Sequence, residues 1–243
     1  SLSTTLATNA LVEGQGGRVG LVYIGFEARD LDSHGLKEAL KGDPVIMLSG
    51  GHDHAGVQAA LLDADALWEW LARDQGVSAY AVAAQFATRN AAHELRAAEV
   101  IGQVTGRPVS ASHHLSSKLN GPKRALTAVL NARLIGMTHK LIGRAEDILR
   151  EIGLSAPLMV VRGDGALIGS DMARARPIET ILSGPAASIV GARWLTGADH
   201  ALVSDIGGTT TDVAVLRDGR PMIDPAGAQV GPYRTMVEAV AMR

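Results

Sequence analysis

Short apolar runs alternate with longer amphipathic segments along most of the chain, and this alternation limits the fold more than any other feature of the sequence. The apolar runs have strand length and lie at residues 18–24, 44–48, 77–82, 108–112 and 157–161. The amphipathic segments have helical spacing and lie at residues 65–74, 90–105 and 120–151. Strands joined by such helices commonly share one sheet that carries the helices on its faces. The sequence therefore predicts an α/β fold with a mixed or parallel sheet flanked by helices.

The apolar spacing also predicts which side of each helix is buried. In the segment 90–105 the predicted buried stripe is Leu95, Ala98, Ile101 and Val104. A helix that begins near Ser183 is predicted to bury Ala187, Val190 and Trp194. In the longest segment, four basic residues are predicted to mark a solvated face: Arg124, Arg133, Lys140 and Arg144.

Composition excludes several classes of protein. The 243 residues carry a net charge of -2, which provides no basic surface for nucleic acid. The chain has no cysteine, so disulfides and thiolate metal sites are excluded, and a cytoplasmic protein is expected. No apolar run approaches the ~20 residues of a membrane span, and no signal peptide is recognisable. Only 3% of the residues are aromatic, so Ala, Leu, Val and Ile must build the core.

One polar stretch between two apolar runs carries the clearest chemical signal. It consists of Asp205, Ile206, Gly207, Gly208, Thr209, Thr210, Thr211 and Asp212. Adjacent glycines let backbone N–H groups approach an anion, and threonine hydroxyls donate further bonds to phosphate oxygens. Asp205 is placed to hold Mg²⁺, and Asp212 to orient a water or cap the hairpin. The stretch predicts a phosphate-binding hairpin over residues 201–218, and the alternative is an ordinary glycine hairpin with a polar tip.

Other polar residues follow predicted strands. His52, Asp53 and His54 are three potential metal ligands in a row, but neighbouring side chains point apart. A solvated loop is therefore favoured there over a polar loop near a substrate cleft or a metal site. His113 and His114 lie at a strand end, where a structural or exposed histidine pair is favoured over a pair that faces a ligand cleft. Asp164, between two glycines, is either a turn residue or a cleft carboxylate.

Several motifs together resemble the hydantoinase A/oxoprolinase family of the actin, sugar-kinase and chaperone ATPase superfamily. They lie at residues 4–10, 128–132, 163–165, 179–188 and 205–212. The resemblance implies two ribonuclease H-like (actin-like ATPase) lobes with ATP between them, of which this chain carries one lobe and the start of the second. Residues 1–117 would form the family's N-terminal-type region and residues 118–243 its hydantoinase A-type region, with a crossing helix at 183–196.

The resemblance also implies roles for individual residues, with ATP and Mg²⁺ as cofactors. Asp205 and Asp212 would be catalytic, and Asp205 would hold the metal. Gly207, Gly208, Thr209, Thr210 and Thr211 would bind the phosphates, and Ser183 and Gly184 would belong to the interlobe helix. The candidate substrate contacts, which no spacing assigns, are Thr8, Asn9, His52, His113 and Asp164.

The implied activity is ATP-dependent opening of a cyclic amide, such as N-methylhydantoin or 5-oxoproline, through phosphorylation of its carbonyl oxygen. A second, hydantoinase B-type subunit is the expected partner, with no nucleic acid and no membrane. Two alternatives stay open. The chain could belong to the ATPase subunit of an acetone or ketone carboxylase, or to a non-catalytic actin-like ATP-binding regulatory protein.

The family pattern extends beyond this chain at both ends. A first phosphate hairpin is expected upstream of the Thr8-Asn9 motif, and an adenosine-binding part downstream of Arg243. We therefore expect a polypeptide of residues 1–243 alone to bind ATP weakly or not at all, and to be inactive by itself. Isothermal titration calorimetry tests this expectation, and micromolar affinity for ATP would contradict it.

Overall fold

The computed structural model describes residues 1–207 and 211–242, which form two compact units. The first unit comprises residues 1–14, 137–230 and 237 onward. The second unit comprises residues 15–136 and 231–236. The division falls within the longest helix, whereas the boundary predicted between the two family regions lies at residues 117 and 118.

Seven α-helices occur among the described residues. They are α1 (Leu6–Val12), α2 (Leu36–Leu40), α3 (Ala64–Leu71), α4 (Ala92–Thr105), α5 (Gly121–Glu151), α6 (Ser170–Ala175) and α7 (Ser183–Thr196). Short 3-10 helices lie at Ala28–Asp32, Ser112–His114 and Pro177–Thr180.

Eleven strands occur in the same part of the chain. Those of the second unit's main sheet are β1 (Val19–Ile24), β2 (Val45–Leu48), β3 (Ala79–Ala84) and β4 (Val109–Ala111). The others are β5 (Met159–Val161), β6 (Leu167–Gly169), β7 (Ala201–Ile206), β8 (Thr211–Arg217), β9 (Arg220–Pro221), β10 (Gln229–Val230) and β11 (Tyr233–Arg234).

The second unit is built on a four-stranded sheet in the order β2-β1-β3-β4, with every neighbouring pair parallel. Strands β1 and β3 are buried along their whole length, as expected for central strands covered on both faces. Val22 and Ile24 of β1 share one core with Leu67 of α3 and Ile101 of α4. The predicted α/β class is thus confirmed. Parallel and antiparallel strands both occur, but in separate sheets.

The first unit contains two small antiparallel sheets, one of β5 and β6 and one in the order β7-β8-β9. Ala186 and Ile189 of α7 pack against Ala214 and Leu216 of β8. The helix therefore covers the face of the sheet on which every second residue of β8 lies.

The predicted buried face of α7 is wrong in register, and that of α4 is right at Ile101 but wrong at Leu95. Leu95 of α4 is 53% exposed, while His93, Glu94, Ala97, Val100 and Ile101 are buried. Polar residues occupy the first turn of this face because the ends of β3 and β4 supply hydrogen-bond partners there. In α7, Val190 and Trp194 are exposed, and Ser183, Ala186 and Ile189 are buried instead.

The predicted solvated face of α5 is also wrong at two of its arginines. Arg124 and Arg133 are 1% and 6% exposed. Arg133 donates to the carboxylate of Asp43 at 2.8 Å and to the carbonyl oxygen of Ala39 at 2.8 Å. The pattern of charged residues in the sequence could not predict this burial, because the groups that stabilise these buried arginines are distant in sequence.

No helix among the described residues is long and apolar enough to cross a membrane.

The buried ion pair of Asp43 and Arg133 predicts a large stability effect. Asp43 also accepts from the backbone N–H of Val19 at 3.0 Å, so Asp43→Ala strands a buried guanidinium and a buried donor together. We expect a loss of about 3–5 kcal/mol of unfolding free energy, measured by urea denaturation. The matched control is Asp32→Ala, which removes an exposed pair with Lys37 and should cost less than about 1 kcal/mol. Equal losses in the two variants would contradict the interpretation.

Candidate functional site

Asp205 and Asp212 lie directly opposite each other on β7 and β8. They continue the face on which Val203 and Ala214 pack under α7, because alternate residues of a strand share a face. Directly opposed side chains of an antiparallel pair lie about 5 Å apart at Cβ, and like charges there are unfavourable. The arrangement therefore concentrates negative charge where a cation would relieve it.

Ser188 of α7 orients one of these carboxylates. Its hydroxyl donates to Oδ2 of Asp205 at 2.6 Å, a short charge-assisted hydrogen bond. Asp205 is exposed and Ser188 is half-buried, so the bond fixes a carboxylate that a ligand can still approach.

The predicted phosphate-binding residues are only partly described. Gly208, Thr209 and Thr210 lie outside the described residues. Gly207 directly follows β7, and Thr211 begins β8, where it pairs with Ile206. Gly207 therefore begins the connection between the two strands, and Thr211 directly follows it.

Thr8 and Ser183 hold the beginning of α7 against the N-terminal segment of the first unit. The backbone N–H of Leu182 donates to Oγ1 of Thr8 at 3.0 Å, and the hydroxyl of Ser183 donates to the carbonyl oxygen of Thr4 at 3.0 Å. Leu182 has a left-handed φ of 58°, a strained conformation for a leucine. Gly184 is the next residue along the helix after Ser183.

Asn9 and Asp164 lie elsewhere in the first unit. Asn9 is exposed and donates to the hydroxyl of Thr5 at 3.4 Å. Asp164 accepts from the backbone N–H of Ala166 at 3.0 Å and pairs with Arg162 at 3.1 Å. Of the two alternatives for Asp164, the structure places it in a turn.

The carboxyl ends of β1 and β3 are the candidate ligand site of the second unit. The strand order changes direction between these two strands, and open parallel sheets bind ligands at such switch points. Gly25, which follows β1 with a φ of 77°, approaches Gly50 so closely that a Cβ on Gly25 would lie 2.6 Å from the carbonyl oxygen of Gly50. The loops after β1 and β2 thus meet by backbone contact at this edge.

Glu94, at the start of α4, is the centre of a buried polar network at the same edge. It is fully buried and accepts from the backbone N–H of Ala84 at 2.8 Å and from the hydroxyl of Ser112 at 2.6 Å. Its other oxygen accepts from the backbone N–H of His113 at 2.9 Å and lies 2.6 Å from Nδ1 of that residue. One carboxylate therefore binds the ends of β3 and β4 to α4.

Arg124 of α5 completes the network. It donates to the hydroxyl of Ser112 at 3.3 Å and to the carbonyl oxygen of Ala84 at 3.1 Å. Burial lowers the pKa of Arg124, and the nearby charge of Glu94 partly opposes that effect. The positive charge of Arg124 therefore compensates the buried negative charge of Glu94 across the hydroxyl of Ser112.

His52 is buried at this edge, and the solvated loop predicted there is wrong for it. The side chain is 2% exposed, and its ring lies 4.4 Å from that of His93. His93 accepts from the backbone N–H of Gly51 at 2.8 Å, so its Nδ1 is unprotonated. Nδ1 of His52 has no hydrogen-bond partner among the described residues.

The alternative of a metal site at His52, Asp53 and His54 finds no support among the described residues. Asp53 accepts from the backbone N–H groups of Ala55 and Val57 in a local turn. Within the described ranges, no group of three or more metal-binding side chains comes together.

The sequence interpretation missed Ser188, Glu94 and Arg124. Glu94 and Arg124 lie in helices with ordinary exposed charges around them, and only their tertiary partners distinguish them. The small residues of α7 allow close approach of the neighbouring sheet, and this pattern could have predicted the contact of Ser188 with that sheet.

Two solved structures have the fold of this chain. The crystal structure of the ATP-dependent caprolactamase from Pseudomonas jessenii matches with a TM-score of 0.83 and 26% identity. A nucleotide-free acetone carboxylase matches with a TM-score of 0.78 and 21% identity, which shows the fold alone. Each match covers 99% of this chain and 38% of the solved one. The two units thus define an α/β protein of the type that forms part of these larger enzymes.

The chain belongs to the hydantoinase/oxoprolinase family. The family's N-terminal region matches residues 1–105, and the hydantoinase/oxoprolinase model matches residues 124–243.

Curated relatives are similar over most of this chain. The acetophenone carboxylase gamma subunit of Aromatoleum aromaticum is 27% identical over 91% of this chain, and the caprolactamase subunit alpha of Pseudomonas jessenii is 27% identical over 89%. The 5-oxoprolinase 1 of Arabidopsis thaliana is 28% identical over 88%. The chain spans 35%, 34% and 20% of these three proteins, respectively.

The environment of His93 predicts a pH-dependent stability. Burial, and to a lesser degree His52, hold the pKa of His93 below its usual range. The unfolded chain therefore takes up a proton near the ordinary pKa of about 6.5, whereas the folded protein does so only at lower pH. Stability should fall as the pH drops below about 6.5.

NMR titration of the histidine ring protons tests this prediction. The midpoint for His93 should lie below about 6.5, and His93→Asn should flatten the decline of unfolding free energy with falling pH. His139→Asn, at an exposed position of α5, should leave the decline unchanged. A normal midpoint for His93 would contradict the prediction.

Proposed function

We propose that this chain is part of an ATP-dependent amidohydrolase subunit that opens cyclic amides by phosphorylating the carbonyl oxygen. The observation that carries the proposal is the opposed pair of Asp205 and Asp212 at the end of a hairpin whose connection contains Gly207 and Gly208. The similarity to caprolactamase and 5-oxoprolinase supports the choice of substrate class.

The opposed carboxylates fit a divalent cation. Oxygen ligands from one or two carboxylates, completed by phosphate and water, are the set that Mg²⁺ prefers. When bound, Mg²⁺ would neutralise charge on the phosphates and orient them. Asp205 would hold it, with Ser188 fixing the carboxylate, and Asp212 would bind the metal or a water.

The hairpin residues would bind the phosphates of ATP. In this proposal the backbone N–H groups of Gly207 and Gly208 and the hydroxyls of Thr209, Thr210 and Thr211 donate to phosphate oxygens. Such donors stabilise the charge of a transferring phosphoryl group, which is the main demand of this chemistry. Ser183 and Gly184 would belong to the helix that crosses between lobes.

The candidate substrate contacts differ in what their side chains already bind. Thr8 accepts from the backbone N–H of Leu182, Asp164 accepts from the backbone N–H of Ala166, and Asn9 is exposed. His52 and His113 lie at the ligand edge of a parallel sheet. We therefore assign the substrate to His52 and His113 first, and to Thr8, Asn9 and Asp164 second.

The proposed enzyme works with a second, hydantoinase B-type subunit in the cytoplasm. Relatives that are named as alpha and gamma subunits support a multi-subunit assembly.

Ketone carboxylation is the second candidate function, and the similarity to an acetophenone carboxylase subunit favours it specifically. Both reactions would consume ATP at the same hairpin and differ in the substrate that accepts the phosphoryl group. ADP release that a lactam stimulates without bicarbonate indicates the hydrolase. ADP release that requires both a ketone and bicarbonate indicates the carboxylase.

Replacement of Asp205 in the intact enzyme tests the proposed function. Asp205→Ala should abolish cyclic-amide-stimulated ADP release and weaken binding of Mg·ADP, while the melting temperature stays nearly unchanged because the side chain is exposed. Ser188→Ala should raise the Mg²⁺ concentration for half-maximal activity several-fold, since it removes only the orienting bond.

The matched control is Asp218→Ala, at an exposed carboxylate in the turn after β8. Wild-type turnover in Asp205→Ala would refute the metal assignment. Slow ATP hydrolysis that no cyclic amide or ketone stimulates would instead indicate a non-catalytic ATP-binding protein.

A further inference from the structure

The helix α7 begins at a strained residue. Leu182, which directly precedes the helix, has a φ of 58° and a ψ of 18°, in the left-handed region that a leucine rarely adopts. A serine, threonine or aspartate at this position would accept from the first turn of the helix, whereas leucine has no side-chain acceptor. The start of a helix therefore does not require a strained leucine, and the surrounding structure must hold it in place.

The N-terminal segment of the first unit supplies the groups that hold this residue. Oγ1 of Thr8 accepts from the backbone N–H of Leu182 at 3.0 Å. The hydroxyl of Ser183, which is fully buried, donates to the carbonyl oxygen of Thr4 at 3.0 Å and accepts from the backbone N–H of that residue at 3.4 Å. Thr8 therefore binds the strained residue itself, and Thr4 binds the residue that follows it.

The turn at residues 163–165 also contacts the chain before and within α7. A Cβ on Gly163 would overlap the carbonyl oxygen of Ile181. A Cβ on Gly165, which has a φ of 88°, would lie 2.9 Å from Cγ2 of Val190. Both glycines therefore permit an approach that a larger residue would prevent. The start of α7 is thus enclosed by two segments that are distant from it in sequence.

The helix connects this junction to the opposed carboxylates of β7 and β8. Ser188 lies in the second turn of α7, and its hydroxyl donates to Oδ2 of Asp205 at 2.6 Å. Ala186 and Ile189 of the same two turns pack against β8. Because a helix is a rigid element and its packed side chains leave little free space, a change at its start is passed to its second turn. The hydroxyl that orients Asp205 would move with it.

We propose that Thr8 is a positioning residue for the carboxylate of Asp205. Thr8 holds Leu182 in the left-handed conformation, this conformation fixes the start of α7, and α7 places the hydroxyl of Ser188. The proposal rests on the proposed function for its purpose, which is to hold Asp205 ready for a divalent cation. Thr8 acts through the helix in this role and does not touch the cation.

Crystal structures of the intact, nucleotide-free enzyme test the positioning directly. Thr8→Val removes the acceptor and keeps the shape of the side chain. We expect the distance from the hydroxyl of Ser188 to Oδ2 of Asp205 to exceed about 3.5 Å in this variant, which is too long for a hydrogen bond. Thr8→Ser keeps a hydroxyl and should retain the bond. A bond from Ser188 to Asp205 that persists in Thr8→Val would overturn the proposal.

Binding of Mn²⁺ in the presence of ADP, measured by electron paramagnetic resonance, is a second readout that does not depend on turnover. Thr8→Val should weaken Mn²⁺ binding about fivefold, the equivalent of one net hydrogen bond, and Thr8→Ser should bind like the wild type. The matched control is Thr5→Val, at the exposed threonine that precedes α1, which should leave the affinity unchanged. A lower melting temperature of Thr8→Val with unchanged Mn²⁺ affinity would show a purely structural role and overturn the proposal.

Double-variant cycles test whether Thr8 acts through Leu182 and Ser188. Glycine adopts a left-handed φ without strain, so Leu182→Gly should remove the need for Thr8. In that background, Thr8→Val should change the Mn²⁺ affinity by less than about twofold. The same result is expected in the Ser188→Ala background, because the orienting hydroxyl is already absent. A full effect of Thr8→Val in either background would overturn the proposed route.

A measurement on the wild-type enzyme applies even if Thr8→Val does not fold. Coupling between two sites is reciprocal, so binding of Mn²⁺ with ADP at Asp205 should slow hydrogen exchange at the backbone N–H of Leu182. Mass spectrometry of peptides that cover residues 179–190 detects this exchange. Unchanged exchange at saturating Mn²⁺ and ADP would overturn the proposal.

The proposed function and the role of Thr8 fail in different measurements. If the wild-type enzyme does not bind Mn²⁺ with ADP, the proposed function fails, and the nucleotide-free structures still decide whether Thr8 positions Asp205. If the wild-type enzyme binds both but the bond of Ser188 persists in Thr8→Val, only the role of Thr8 fails.

Discussion

The hydrogen bonds of the Glu94 carboxylate are the interaction on which the carboxyl edge of the parallel sheet depends. It binds the backbone ends of β3 and β4, the hydroxyl of Ser112 and the ring of His113 at once. A buried carboxylate is costly unless every oxygen is satisfied, so the four partners and the carboxylate stabilise one another. The position of His113 therefore follows from the hydrogen bonds that the buried carboxylate of Glu94 needs.

In the first unit a hydrogen bond also holds a carboxylate, that of Asp205, but this carboxylate is exposed. Asp205 and Asp212 oppose each other across β7 and β8, and the hydroxyl of Ser188 donates to one oxygen of Asp205. Unlike Glu94, Asp205 is open to solvent. The second unit therefore holds a carboxylate that is closed to solvent, whereas the first unit holds a carboxylate that a cation could approach.

Strand and helix positions were predictable because they follow from local patterns. The run at 18–24 contains all of β1, the run at 77–82 contains much of β3, and the segment 120–151 contains α5. The buried face of α7 and the first turn of α4 were predicted wrongly, because Glu94 and Ser183 look solvent-exposed by residue type. Polar residues become core residues only where distant backbone groups meet them.

By itself, the sequence determined the α/β class, the family motifs and the acidic, glycine-rich hairpin, since each depends on residues close together in the chain. The tertiary structure decided which charged residues are buried and which side chains they orient. Arg124, predicted to be solvated, lies beside Ala84, forty residues away. Glu94 meets His113 across nineteen residues. Such pairings arise from the packing of helices on the sheet, and no local pattern records them.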